Sequence, residues 1–322
     1  MTKAGDLKRK KAERLADKGF ACLGEGDYAG ALGIAKKLED LKHTAAFDIA
    51  AQAYARLDEL PRAIETLERG VKNAPDCWLN WELLGNYRSD TERYEQAELA
   101  YQSALTCSNV WTDSVRLNQA ILAGRRGEPD RSLILLDSVK DPELSLRVAY
   151  ARVTALEDMG RLEEALSLAD QCLGQGWEAE DSRHILAGIA AARGRIGLLR
   201  GWNKDVVRRS AMDAFVRYGS DKCLLSLIRD IDARHCREAK YFRLLIHAAN
   251  ENPEDPDWKG YYTTYDVVAA SEDQALAWIR EFERPEESQV TLSVESCDTL
   301  EERPEDPIGV YRATGRCYYG EE

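Results

Sequence analysis

The sequence predicts an α+β protein: an N-terminal α-helical solenoid, then a small C-terminal α+β domain ordered strand, strand, helix, strand, strand. Three observations predict it. First, Ala51, Ala63, Leu67 and Gly70 fall on Gly85, Ala97, Tyr101 and Ala104 at a shift of 34 residues. Self-similarity at that period marks a helix–turn–helix repeat, whose apolar face needs a stacked neighbour to cover it. Second, past about residue 240 the apolar pattern shortens. Tyr241–His247 and Tyr261–Val268 are rich in aromatic and β-branched residues, which favours strand. Third, the net charge of −13 is localised. The last 73 residues hold 19 acids and 6 bases, while the preceding 249 hold 38 of each sign. Such asymmetry implies two parts with different surfaces.

The strongest copies run from about Thr44 to Ser108. In the first, Phe47, Ala50, Ala51 and Tyr54 fit one helix, and Ala63, Leu67, Gly70 and Pro75 fit the second helix and its exit. In the next, Trp81, Leu84 and Gly85 precede Ala97, Tyr101 and Ala104. Small residues let paired helices approach, and the aromatic and leucine positions fill the space between units. These residues resemble the tetratricopeptide repeat, over residues of about 10–175. Arg88 and Asn109 stand where that family favours an aromatic and a proline. Weaker copies are read from Gly26-Asp27-Tyr28, Gly127-Glu128-Pro129 and Gly160-Arg161-Leu162, each a turn followed by a helix start.

Beyond Glu180 the repeat decays. Ser182–Gly188 could open a sixth unit. Asn203–Tyr218 and Ser220–Ile231 read as two further helices, the second capped by Ser220. In the C-terminal part, Asn250–Lys259 reads as a loop and Ser271 as the cap of a helix carrying Ala275, Leu276, Trp278, Ile279 and Phe282. Gln289–Val294 reads as a strand, Asp298–Pro307 as an acidic loop, and Gly309–Tyr319 as a last strand. The expected organisation is about five helical hairpins over 10–178, a degenerate repeat with capping helices over 179–236, and an acidic α+β domain over 237–322. One helix on a small antiparallel sheet is the natural architecture for the last part.

Composition narrows the function. Hydrophobic residues make up 44% and charged residues 31%, as in a soluble globular protein. No apolar run reaches the ~20 residues of a bilayer span. The N-terminal segment is charged without an apolar core behind it, so it does not read as a secretory signal. The expected compartment is the cytoplasm, and the eight dispersed cysteines read as reduced thiols with neither zinc spacing nor a disulfide framework. Phosphate-loop, dinucleotide, HExxH and GxSxG patterns are missing from the sequence. Asp232, His235 and Cys236 are the nearest approach to a nucleophile cluster. No cofactor, no metal site and no nucleic-acid partner is expected.

Two sets of residues are candidates for binding. If the first helices follow the resembling repeat, Asp48, Gln52, Glu82, Asn86, Tyr150 and Thr154 face the groove. Some members of the family grip a carboxylate there with Lys, Arg and Asn. Here Asp48 and Glu82 take those places, which disfavours an anion and favours a partner with a basic or amphipathic segment. A second stretch, with Arg193, Arg195, Arg200, Arg208 and Arg209, carries a local excess of positive charge and reads as a patch that pairs with the acidic C-terminal domain. The Lys8–Arg14 cluster reads as a solvated terminus. The expected function is therefore a non-enzymatic protein–protein interaction scaffold or adaptor, with the acidic domain as a second contact surface. An immunity or antitoxin-like inhibitor of a basic toxin or enzyme is the alternative. An enzyme of unknown type in the C-terminal domain, drawing on Asp266, His247, Tyr261, Tyr262 and Tyr265, is the third reading.

Overall fold

The structure, a computed structural model, describes residues 3–175, 182–251, 258–284, 289–303 and 305–320. The chain divides into two compact units, 1–148 and 149–322.

The first unit is built from α1 (Lys3–Gly24), α2 (Tyr28–Asp40), α3 (Ala45–Arg56), α4 (Leu60–Asn73), α5 (Trp78–Asp90), α6 (Tyr94–Leu105), α7 (Thr112–Arg125) and α8 (Pro129–Asp137). They pack as consecutive hairpins, and α3 also touches α5, and α5 touches α7. A single turn geometry makes the hairpins. Gly26, Asp58, Glu92 and Gly127 all adopt left-handed backbone, 32, 34 and 35 residues apart. After each, the next N–H reaches back five residues: Asp27 to Cys22, Glu59 to Tyr54, Arg93 to Arg88 and Glu128 to Ala123, at 2.8–2.9 Å. This is the Schellman closure of a helix C-terminus. Small residues set the helix spacing. A methyl group on Gly85 would stand 2.4 Å from the ring of Tyr101, so only glycine fits under that ring. Ala51, Ala63, Leu67, Leu84, Ala97 and Ala104 are all fully buried.

α9 (Ser145–Asp158) crosses the division between the units. In the second unit α10 (Leu162–Gly174) follows through the same turn, with Gly160 left-handed and Arg161 N–H bonded to Leu156. Next come α11 (Arg183–Leu199), α12 (Lys204–Tyr218) and α13 (Lys222–Asp232). Strands β1 (Lys240–Asn250) and β2 (Trp258–Ala269), helix α14 (Glu272–Glu283), then β3 (Val290–Glu302), β4 (Gly309–Ala313) and β5 (Cys317–Gly320) complete the chain. The antiparallel sheet runs β3-β1-β2-β4, with β5 also paired to β2. Its inner face, including Phe242, Leu244, Ile246 and Tyr265, packs with Phe215, Leu224 and Leu227 of α12 and α13 and with Ile279 and Phe282 of α14 in one core.

The α+β class and the repeat stand as read, and several details differ. The sheet has five strands because the 309–319 segment breaks at residues 314–316 into β4 and β5. Asp298–Glu302, expected in a loop, extends β3. The cap of α13 is Asp221, whose carboxylate accepts from the Cys223 and Leu224 N–H groups, while Ser220 Oγ accepts from Ala313 N–H of β4. The expected boundary at 178/179 and most of the 250–259 loop lie outside the described residues. The segments 179–236 and 237–322 share the core just described, and the division into units falls within α9.

Candidate functional site

The first helices of successive hairpins place a row of polar groups side by side. Asp48 on α3 is buried, with 2% exposure, and its Oδ1 accepts from Gln52 Nε2 at 2.5 Å, one turn along the same helix. Glu82 on α5 is buried too. Its Oε1 accepts from Ser114 Oγ at 2.7 Å and from Asn118 Nδ2 at 3.0 Å, both on α7. Arg147 extends the row by donating to Asn118 Oδ1 at 3.4 Å. Burial pushes the Asp48 carboxyl up to about 6, with the Gln52 bond opposing it. Burial also raises Glu82; Ser114, Arg147 and Asn118 act against this, and the charge of Asp48 adds to it. Glu82 thus feels the charge of Asp48 from a neighbouring first helix. Among the described residues no Lys or Arg forms an ion pair with either.

Not every candidate stands free in the groove as expected. Asp48 and Glu82 are bonded within the row, because polar side chains between packed helices must be satisfied locally. Asn86 Oδ1 accepts from Tyr101 OH at 2.7 Å. Tyr150 and Thr154 belong to the second unit. There a methyl on Gly188 would lie 2.7 Å from the Tyr150 ring, so that ring packs on α11, and Thr154 Oγ1 donates to Ala151 O at 2.9 Å. The sequence pattern does not single out Ser114, Asn118 or Arg147. The available signal is the spacing of four between Ser114 and Asn118, one repeat beyond Glu82. The fourth hairpin, with Ser132 for alanine, is a weaker copy and blurs its register.

The arginine stretch is distributed over several partners. Arg193 pairs with Asp170, Arg195 makes two bonds to Glu157 at 3.0 and 2.8 Å, and Arg200 pairs with Glu163. These acids belong to α9 and α10, the helices one repeat earlier, rather than to the C-terminal domain. Arg208 bridges Asp232 at 2.8 Å and Glu281 of α14 at 2.6 Å. Arg209 lines a cavity of about 360 Å³ with Asp205, Arg208, Met212, Glu281 and Arg284.

The C-terminal candidates split by strand alternation. Tyr261 and Tyr265 point inward, and each OH donates at 2.5 Å to Glu283, which is buried and also accepts from Arg316 Nη2 at 2.7 Å. Tyr262 faces outward and stacks on His247 at 4.7 Å between centroids. Asp266 is held by Arg243 at 2.7 and 3.0 Å. Asp232 is occupied by Arg208, and His235 is exposed. Among the described residues no group of three His, Cys, Asp or Glu side chains is placed to hold a metal ion. No helix among them is long and apolar enough to cross a membrane.

No family model matches the sequence, and no curated protein matches it. Solved structures do. The chain superposes on pilF of Pseudomonas aeruginosa with a TM-score of 0.52 at 14% identity, covering 70% of this chain and 98% of that one. A tetratricopeptide repeat protein from Parabacteroides merdae gives 0.50 at 16% identity, covering 70% of this chain and 100% of that one. The fold is that of tetratricopeptide-repeat proteins. The APC/C hetero-tetramer Cut9–Hcn1 also matches, with 0.53 at 13% identity over 68% of this chain and 42% of that one. In this tetratricopeptide-repeat fold α3, α5 and α7 are the first helices of their hairpins, and the Asp48–Glu82 row lies on them.

Proposed function

We propose that this tetratricopeptide-repeat chain is a non-enzymatic interaction scaffold or adaptor of the cytoplasm. It binds a basic or amphipathic segment of a partner protein across α3, α5 and α7, with the acidic C-terminal part as a second contact surface. The observation that carries this reading is the pair of buried carboxylates, Asp48 and Glu82, with raised pKa and no ion-paired cation among the described residues. A buried carboxylate without a counter-charge is costly. A partner's Lys or Arg seated over the row offsets part of that cost through space. Among the similar structures Cut9–Hcn1 is itself a hetero-tetramer, which supports a role within a protein assembly.

The test is a titration of the full chain with an arginine-bearing amphipathic helical peptide, followed by fluorescence anisotropy. Affinity should rise as pH passes upward through about 6, where Asp48 ionises. It should fall about tenfold or more in the double variant Asp48→Asn, Glu82→Gln. Equal affinity in wild type and double variant, at every pH, removes the reading.

A further inference from the structure

The sheet ends on an open strand. β3 pairs with β1 along one side, and no described strand lies on its other side. From Thr291 to Glu302 none of its residues is buried. The N–H and C=O groups directed away from β1 therefore form a row that another extended chain can complete.

The chemistry of that border selects its occupant. Within Val290–Glu302 there are four acids, Glu295, Asp298, Glu301 and Glu302, and no lysine or arginine. Pairing with a second copy of β3 would set carboxylates against carboxylates, which is unfavourable across strands. The pairing with β1 shifts register twice, so that Glu295 and Leu300 are extra residues. The stretch Val290–Val294, before the first of these bulges, keeps regular register with β1. A cationic strand escapes the charge repulsion. Leu292 and Val294 are half-buried and pack on the core behind the sheet, while Thr291, Ser293 and Glu295 are exposed. An added strand thus meets an apolar row on one face and a polar, acidic row on the other.

We propose that the free border of β3 is a strand-addition site for an extended segment of a partner protein in which Lys or Arg alternates with aliphatic residues. Main-chain bonds would supply the affinity and the two rows the specificity, as in other strand-addition complexes. This site is separate from the helical groove and does not rest on it.

The experiment uses the full chain and a labelled peptide of about six residues, alternating Lys and Val, the common strand length. Saturable binding is expected. The pair Glu295→Lys, Asp298→Lys should weaken it about tenfold and should raise the affinity of the matching Glu-Val peptide. Methylating every second peptide amide should abolish binding in one of the two registers while the charge is kept. Equal binding of both methylated peptides would mean that charge alone attracts them, and would overturn the proposal. So would insensitivity to the charge reversal. Loss of binding in Asp48→Asn, Glu82→Gln, with the β3 variant unaffected, would assign the peptide to the helices and refute the strand site alone.

Discussion

Asp48 is harder to ionise in the folded chain than in the unfolded one. Burial raises it from 3.8 to about 6, so the folded state holds its proton more tightly. The stability that goes with the protonated form is fully present below about 3.8 and is lost as pH rises through about 6. The loss is on the order of 3 kcal/mol. Asp48→Asn keeps an oxygen for Gln52 without the charge. Its Tm should exceed that of wild type at about pH 8, and the gap should close as pH falls below about 4, where both forms are neutral. Parallel Tm curves would show that the Asp48 charge is already compensated. Glu283 is the contrasting case, a buried carboxylate that accepts from Tyr261, Tyr265 and Arg316. Tyr265→Phe removes one of them and should cost about 1–2 kcal/mol in urea unfolding, whereas Glu283→Ala strands Arg316 and both tyrosines and should cost about 3–5 kcal/mol. A smaller loss for Glu283→Ala than for Tyr265→Phe would contradict that ranking. Strand alternation makes it legible that Tyr261 and Tyr265 share a face and Tyr262 does not. That the carboxylate comes from the end of α14 is invisible in the sequence, because only the packing of helix on sheet brings position 283 under positions 261 and 265.

The repeating element is the left-handed turn. Where it holds Gly26, Gly127 or Gly160 the sequence announces it, and those three turns are legible. Asp58 and Glu92 adopt the same geometry without glycine, and only the spacing reveals them. Left-handed backbone costs a residue with a Cβ about 1–2 kcal/mol, offset in part by the greater freedom that glycine loses on folding. Glu92→Gly should therefore stabilise the chain by about 0.5–1 kcal/mol, and Gly127→Ala should destabilise it by a similar amount. Chemical denaturation of the two variants checks the pair, and changes of the same sign would mean that the turns are not equivalent. Gly85→Ala meets the ring of Tyr101 at 2.4 Å and should cost about 1–3 kcal/mol by overpacking. In the sheet, legibility failed where periodicity failed. The alternation from Val290 runs to Val294 and then loses phase, because Glu295 is an extra residue. A bulge inverts which side chains point inward, so the rest of β3 reads as a polar loop.

At the scale of the molecule, composition marks a border that packing does not respect. The acidic excess begins near Asn250, and β periodicity near residue 240, so the sequence divides helices from sheet there. Yet α12 and α13 spend their apolar faces on that sheet: Phe215, Leu224, Leu227 and Ile228 share one core with Phe242, Leu244, Tyr265 and Ile279. Phe215 meets Phe282 edge to face at 4.8 Å. Polar contacts follow the same line, with Arg229 donating to Val310 O, Arg284 pairing with Asp213, and Arg208 with Glu281. Hydrophobic burial on this scale outweighs exposed ion pairs, which contribute about 0–1 kcal/mol each. A cut at 236/237 would leave both sides with bare apolar surface, and neither should fold there on its own. The fragment 237–322 should lack a cooperative thermal transition, and 1–236 should bind a hydrophobic dye and associate. The fragment 149–322, which keeps the shared core intact, should melt cooperatively with the circular dichroism of a mixed helix and sheet. Size-exclusion chromatography and thermal melts of the three fragments decide the matter. A monomeric 237–322 with a sharp melt would mean that the sheet and α14 suffice as a core, and that α12 and α13 merely rest on it.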